Sequence, residues 1–174
     1  METTKNKLPE VMQDFFRRLR DYLNTNLYFY GSVQRSDYFP GSSDIDVDIF
    51  TDNVDSTIAK LQHFLTVQRK SFKKIICNID NKVVHGYKII YKHLPTSVEF
   101  SIYNEKNKSS VLHEHRKKMQ VPFYISFGLF IIKKLYYDIH IISLDTYRQW
   151  KLTLLSRGLG FPVGQFVVLN VKSP

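Results

Sequence analysis

YFYGSVQRSDYFPGSSDIDVDIF, residues 28–50, is the stretch on which the reading of the fold turns. It begins as a short strand ending at Gly31 and passes through the turn Gly31-Ser32. A loop of turn formers follows, Pro40-Gly41-Ser42-Ser43, and then a strand from Asp44 to Phe50. Alternation along that strand puts Asp44, Asp46 and Asp48 on one face and Ile45, Val47 and Ile49 on the other. Neighbouring acids on one face stand about 7 Å apart along the backbone. Like charges that close are costly without a cation between them. Hard carboxylate oxygens suit Mg²⁺ (or Mn²⁺). The Gly-Ser turn offers backbone N–H groups and a hydroxyl, which suit a phosphate. One segment therefore holds both halves of a metal-dependent phosphoryl-transfer site.

Upstream, apolar residues at helical spacing from Leu8 to Leu23 predict an amphipathic helix, with Leu27 to Tyr30 as the first strand. Ser32 opens a short helix or turn through Ser36. Downstream, Val54 to Val67 predicts a second helix, followed by strands at Phe72 to Ile79, Lys82 to Tyr91 and Ser97 to Tyr103, with a hairpin turn at Asn78 to Lys82. Lys106 to Gln120 is charged and helical, and Pro122 breaks it. A long, buried apolar helix, Phe123 to Ile142, comes next. Ser143 caps a helix from Leu144 to Arg157, which Gly158 and Gly160 end, and Phe166 to Leu169 is a last short strand. The expected class is α+β: a mixed or antiparallel sheet with flanking helices over residues 1–105, then a small helical C-terminal subdomain over 106–174.

The net charge of +9 favours an acidic partner, most simply nucleic acid or a nucleotide. Lys73, Lys74, Lys82, Lys88 and Lys92 on the hairpin, with Lys106, Lys108, Arg116, Lys117 and Lys118 beyond it, could follow a phosphate backbone. The single cysteine, Cys77, excludes an internal disulfide and fits a reducing, intracellular compartment. The polar N-terminus reads as no signal peptide, and the run from Phe123 to Ile132 is too short to span a bilayer, so no membrane is expected. His113-x-His115, without a third ligand nearby, reads as a solvated helix face. Oligomeric state is not legible. A two-metal site needs a third acid, and Glu99 is the candidate: it lies mid-strand between Val98 and Phe100, where an unpartnered acid is costly.

Gly31-Ser32, the loop, Ser43-Asp44-Ile45-Asp46 and the later strand around Glu99 resemble the nucleotidyltransferase superfamily, the DNA polymerase beta-like fold, over about Leu8 to Tyr103. The resemblance implies a palm-like catalytic domain with Asp44 and Asp46 bridging two metal ions. It places Glu99 beside them, as a metal ligand or the acceptor of the attacking hydroxyl's proton, and assigns Ser32 to the nucleotide's phosphates. Asp48 falls where the family usually carries an apolar residue and reads as a site-edge or structural acid, not a ligand. Gly31-Ser32-Val33-Gln34-Arg35 is similar to the X-family polymerase run Gly-Ser-hydrophobic-Arg-Arg, which casts Arg35 as a phosphate contact, while Gln34 departs from it.

Trp150-Lys151, Arg157-Gly158 and Phe161 fall at spacings similar to the X-family thumb, without its usual Thr-Gly-Ser turn, which would set Tyr147 near the nucleotide. Pro40 to Asp46 is equally similar to poly(A) polymerases and minimal nucleotidyltransferases. The implied reaction moves an NMP or dNMP from a nucleoside triphosphate to a DNA or RNA 3′-hydroxyl and releases pyrophosphate. Two alternatives stand beside it: a minimal nucleotidyltransferase acting on a protein or small molecule, and a non-catalytic nucleic-acid-binding module.

Overall fold

The computed structural model describes residues 2–79 and 82–160, and the backbone of 167–168. The elements in order are α1 (Glu10–Leu23), β1 (Leu27–Tyr30), a 3₁₀ turn (Gly31–Gln34), β2 (Ile45–Thr51), α2 (Val54–Leu65), β3 (Lys73–Ile79), β4 (Lys82–Tyr91), β5 (Val98–Asn104), α3 (Lys108–Met119), α4 (Phe123–Tyr137), α5 (Leu144–Leu159) and β6 (Val167–Val168). The strands form one mixed sheet in the order β1-β2-β5-β4-β3-β6. β2 and β5 run parallel, and the other pairs are antiparallel. The α+β expectation holds. The hairpin register pairs Ile79 with Lys82; Asp80 and Asn81 of the expected turn lie outside the described residues, as do Phe166 and Leu169 of the last expected strand.

Alternation along the strands gives the sheet two unlike faces. Ile45, Val47 and Ile49 of β2 join Val98, Phe100 and Ile102 of β5 under Met12, Phe16, Leu19 and Leu23 of α1 and Ile58, Leu61 and Leu65 of α2. α1 ends on Asn24 and α2 on Thr66, both left-handed, and the Asn53 side chain caps the start of α2 through the Ser56 N–H. The opposite face is apolar at one end, where Tyr28, Phe50, Ile75 and Tyr103 pack against Val111 and Leu112 of α3. The rest of that face carries the acids.

α4 and α5 pack on each other through a separate cluster of Ile125, Leu129, Ile132, Tyr147 and Leu155. Gly158 lies inside α5 rather than ending it, because a Cβ there would meet Ile125 Cγ1 at 2.7 Å; Gly160, at φ +69°, is the terminator. Ser143 caps α5 by accepting from the Thr146 N–H, as expected. The apolar helix is shorter and less buried than its composition suggests. It stops at Tyr137, and a turn with His140 at φ 58° follows. Phe123 and Tyr124 are 81% and 69% exposed. Helical phase aims these aromatics away from α5, so the run is amphipathic in space though not in sequence. Among the described residues, no helix is long and apolar enough to cross a membrane.

Candidate active site

β1 delivers the chain to Gly31 at φ +70°, a conformation that glycine adopts without a Cβ penalty. The lack of a Cβ matters twice, because one placed here would run into the Asp46 carboxylate. Gly31 is thus the gap into which Asp46 fits, and Ser32 follows in the 3₁₀ turn beside it. Asp46 lies on β2, while Asp44 stands one residue before the strand and is exposed. The parallel pairing of β2 with β5 sets Asp46 opposite Glu99 and Asp48 opposite Ser101. Glu99 therefore sits on a central strand, on the face shared with Asp46. Gly31, Ser32, Asp44, Asp46 and Glu99 line one cleft of about 660 Å³, which Tyr147, Arg148 and Lys151 from α5 also line.

The acids crowd. Burial first, then the charge of Glu99, pushes Asp46 up to about 7; Asp44 adds to the rise, and Lys151 and Lys88 work against it. Glu99 is not left bare: Lys88 Nζ on β4 lies 2.6 Å from Glu99 Oε1. Asp48 is fully buried and meets His115 Nε2 of α3 at 2.7 Å through Oδ2. Burial raises the Asp48 carboxyl, and His115 lowers it. The imidazole also stacks on Tyr30, with ring centres 3.9 Å apart. His115 is therefore a buried partner, not part of a solvated face. The helical period shows this once α3 is docked, since it shares the inward side with Val111 and Leu112.

Two further expected residues have partners of their own. The Arg35 guanidinium donates from Nε to Asp37 Oδ1 at 2.7 Å and from Nη2 to Asp37 Oδ2 at 3.0 Å. Tyr147 reaches the cleft wall but is only 6% exposed, stacked on Tyr136 at 4.8 Å and set edge-on to Tyr137 at 5.8 Å. Lys88, His115, Arg148, Lys151 and Lys133 went unmarked as site residues in the sequence. A lysine in the middle of an apolar helix was the readable signal for Lys133, whose side chain is 2% exposed.

Hard carboxylate oxygens converging on a cleft suit a divalent cation. The high proton affinity of Asp46 is what such a cation would relieve. Among the described residues, however, no three acidic, His or Cys side chains form a ready cation cage; the ammonium of Lys88 already holds Glu99.

Comparison with curated proteins finds no match. Among solved structures, one described as "structure of GLD-2/RNP-8 complex" is similar at 13% identity and a TM-score of 0.40, over 85% of this chain and 59% of that one. The chain thus spans less than two thirds of that relative's length. The family described as "Nucleotidyltransferase domain" matches residues 10–119, from the first residue of α1 to the last of α3. That span takes in β1 to β5, the Gly31-Ser32 turn and all the carboxylates of the cleft, and the chain belongs to the nucleotidyltransferase domain family.

Proposed function

We propose that the protein is a divalent-metal-dependent enzyme that transfers a nucleoside monophosphate from a nucleoside triphosphate to the 3′-hydroxyl of a nucleic acid. The observation that carries this reading is one cleft lined by Asp44, Asp46 and Glu99 together with the Gly31-Ser32 turn, Arg148 and Lys151. Asp44 and Asp46 would hold the cation, with Glu99 as the third acid. When bound, such an ion lowers the pKa of an attacking hydroxyl and draws charge from the transferring phosphoryl group.

The chain's own groups have separate tasks. The Ser32 hydroxyl and the backbone N–H groups of its turn bind phosphate oxygens. Arg148 and Lys151 offset the charge of the triphosphate and orient it. The acceptor oxygen forms a bond to the α-phosphorus, the bond from that phosphorus to the bridging oxygen breaks, and pyrophosphate leaves. Glu99 takes the hydroxyl proton, for which it must loosen from Lys88. Exposed Lys73, Lys74 and Lys92, within a net charge of +9, favour a polyanionic acceptor over a protein one.

The test is one panel. Each NTP and dNTP is incubated with Mg²⁺ or Mn²⁺ and single-stranded DNA, gapped duplex DNA or an RNA primer. Extension that is lost with EDTA and with Asp46→Asn is expected. Salt-dependent nucleic-acid binding unaffected by either change, with no extension, would instead assign a non-catalytic binding module.

A further inference from the structure

Lys133 is an ammonium buried against a loop rather than against another helix. It donates to the backbone oxygen of Asp37 at 2.6 Å and to Ser43 Oγ at 3.3 Å, and Nζ lies 3.0 Å from Asp37 Oδ2. An ammonium has three protons, and these three acceptors use them. Asp37, wholly buried, is gripped from its other side by Arg35. Ser43 Oγ also accepts from the Phe39 N–H at 3.1 Å, and the Ser43 N–H donates to the Phe39 oxygen at 2.8 Å. The Phe39 ring lies 5.4 Å from that of Phe130 and 6.3 Å from that of Tyr137. Phe130, Lys133 and Tyr137 follow one another at helical spacing, so one stripe of α4 closes on the loop over residues 37–43.

We propose that Lys133 is a positioning residue: by clasping Asp37 and Ser43 at the two ends of this loop, it fixes where Asp44 stands relative to Asp46. The next residue after Ser43 is Asp44, which has no strand pairing of its own to hold it. A buried ammonium is costly, and an apolar residue would serve packing alone better. What an apolar residue cannot do is satisfy a backbone carbonyl, a buried carboxylate and a hydroxyl at once and so select one loop conformation. Lys133 lines the same cleft, but its three protons are committed to the loop, so that it acts through Asp44 and not on a phosphate. The role in turnover rests on the proposed reaction; the clasp itself does not.

Amide hydrogen exchange across residues 36–46 tests the clasp without any turnover. Lys133→Met should speed exchange at Phe39, Ser42 and Ser43 by about tenfold or more while β4 and α2 stay within about twofold of the parent. Lys134→Met, at an exposed neighbouring position, should change neither. If Lys133→Met does not fold, Ser43→Ala removes one acceptor of the clasp and should speed exchange at Ser42 and residue 43, whose own acceptor, the Phe39 oxygen, it leaves in place. Unchanged exchange in the loop, in whichever of these variants folds, overturns the proposal.

With an extendable primer, kcat should fall about tenfold or more, the nucleotide KM should stay within about threefold, and Lys133→Arg should recover part of the loss. A rise in KM at constant kcat would overturn the proposal and make Lys133 a nucleotide contact. Failure of the parent protein to extend any primer defeats the proposed reaction, and the exchange data still decide the clasp.

Discussion

Asp46→Asn should abolish nucleotide transfer and yet stabilise the protein in chelator above neutral pH. The folded structure raises this carboxyl from 3.8 to about 7, chiefly by burial and next by the charge of Glu99. As pH rises from the unfolded value to the folded one, the unfolded chain has released the proton while the folded chain still holds it. Stability therefore falls as pH climbs through that window and levels off above about 7. A shift of about 3 pKa units, at about 1.4 kcal/mol each, sets a ceiling of about 4 kcal/mol at about pH 8, against about 1.5 kcal/mol at about pH 5.

Asparagine resembles the protonated acid and escapes this penalty. The variant should gain on the parent by up to about 3 kcal/mol between the two pH values, less whatever solvent screening removes. The assay is urea denaturation of both proteins in EDTA at each pH. A stability difference that does not change with pH refutes the reasoning, because the carboxylate would then not be held at a raised pKa. Adding Mg²⁺ at the higher pH should stabilise the parent by about 1.4 kcal/mol at ten times its dissociation constant, and the variant far less.

Other substitutions probe the scaffold. Gly31→Ala places a Cβ in the space of the Asp46 carboxylate at positive φ; it should cost about 1–2 kcal/mol in thermal denaturation and more than that in turnover. His115→Ala leaves Asp48 buried without its hydrogen-bond partner and should cost about 1–3 kcal/mol, most of which a paired Asp48→Leu, His115→Leu variant recovers if burial of an unpartnered carboxyl group is the cause. Gly158→Val collides with Ile125 between α4 and α5 and should lower the melting temperature by overpacking, at about 1–3 kcal/mol, without loosening α1, α2 or the sheet in hydrogen exchange.

The readable parts of this chain are those that rest on short-range rules. β1 and β4 begin and end where alternation and turn formers place them, and β2 and β5 lie within one residue of expectation at each end. The Gly31-Ser32 turn follows from its turn-forming residues, and the shared face of Asp46 and Asp48 from a period of two. The run after Phe123 misled because composition speaks of burial while only docking decides which side is buried. Phe123, Tyr124 and Phe127 are exposed, while Lys133, a charged residue within the run, is inside. His115 misled in the same way: His113-x-His115 reads as a solvated helix face, yet His115 points into the sheet.

From its sequence alone, the chain determined its elements, the Gly31-Ser32 turn, and the alternation that splits the sheet into an apolar and an acidic face. Tertiary structure decided which buried polar groups meet. Lys133 reaches Asp37 across 96 residues and His115 reaches Asp48 across 67, and no local periodicity encodes such distances. The parallel alignment of β2 with β5 is also long-range: it sets Glu99 beside Asp46 across the intervening helix and hairpin. The two buried pairs share a physical reason. Propensity and capping act over a few residues, whereas burial of a charge is tolerable only where a distant partner arrives with the right geometry.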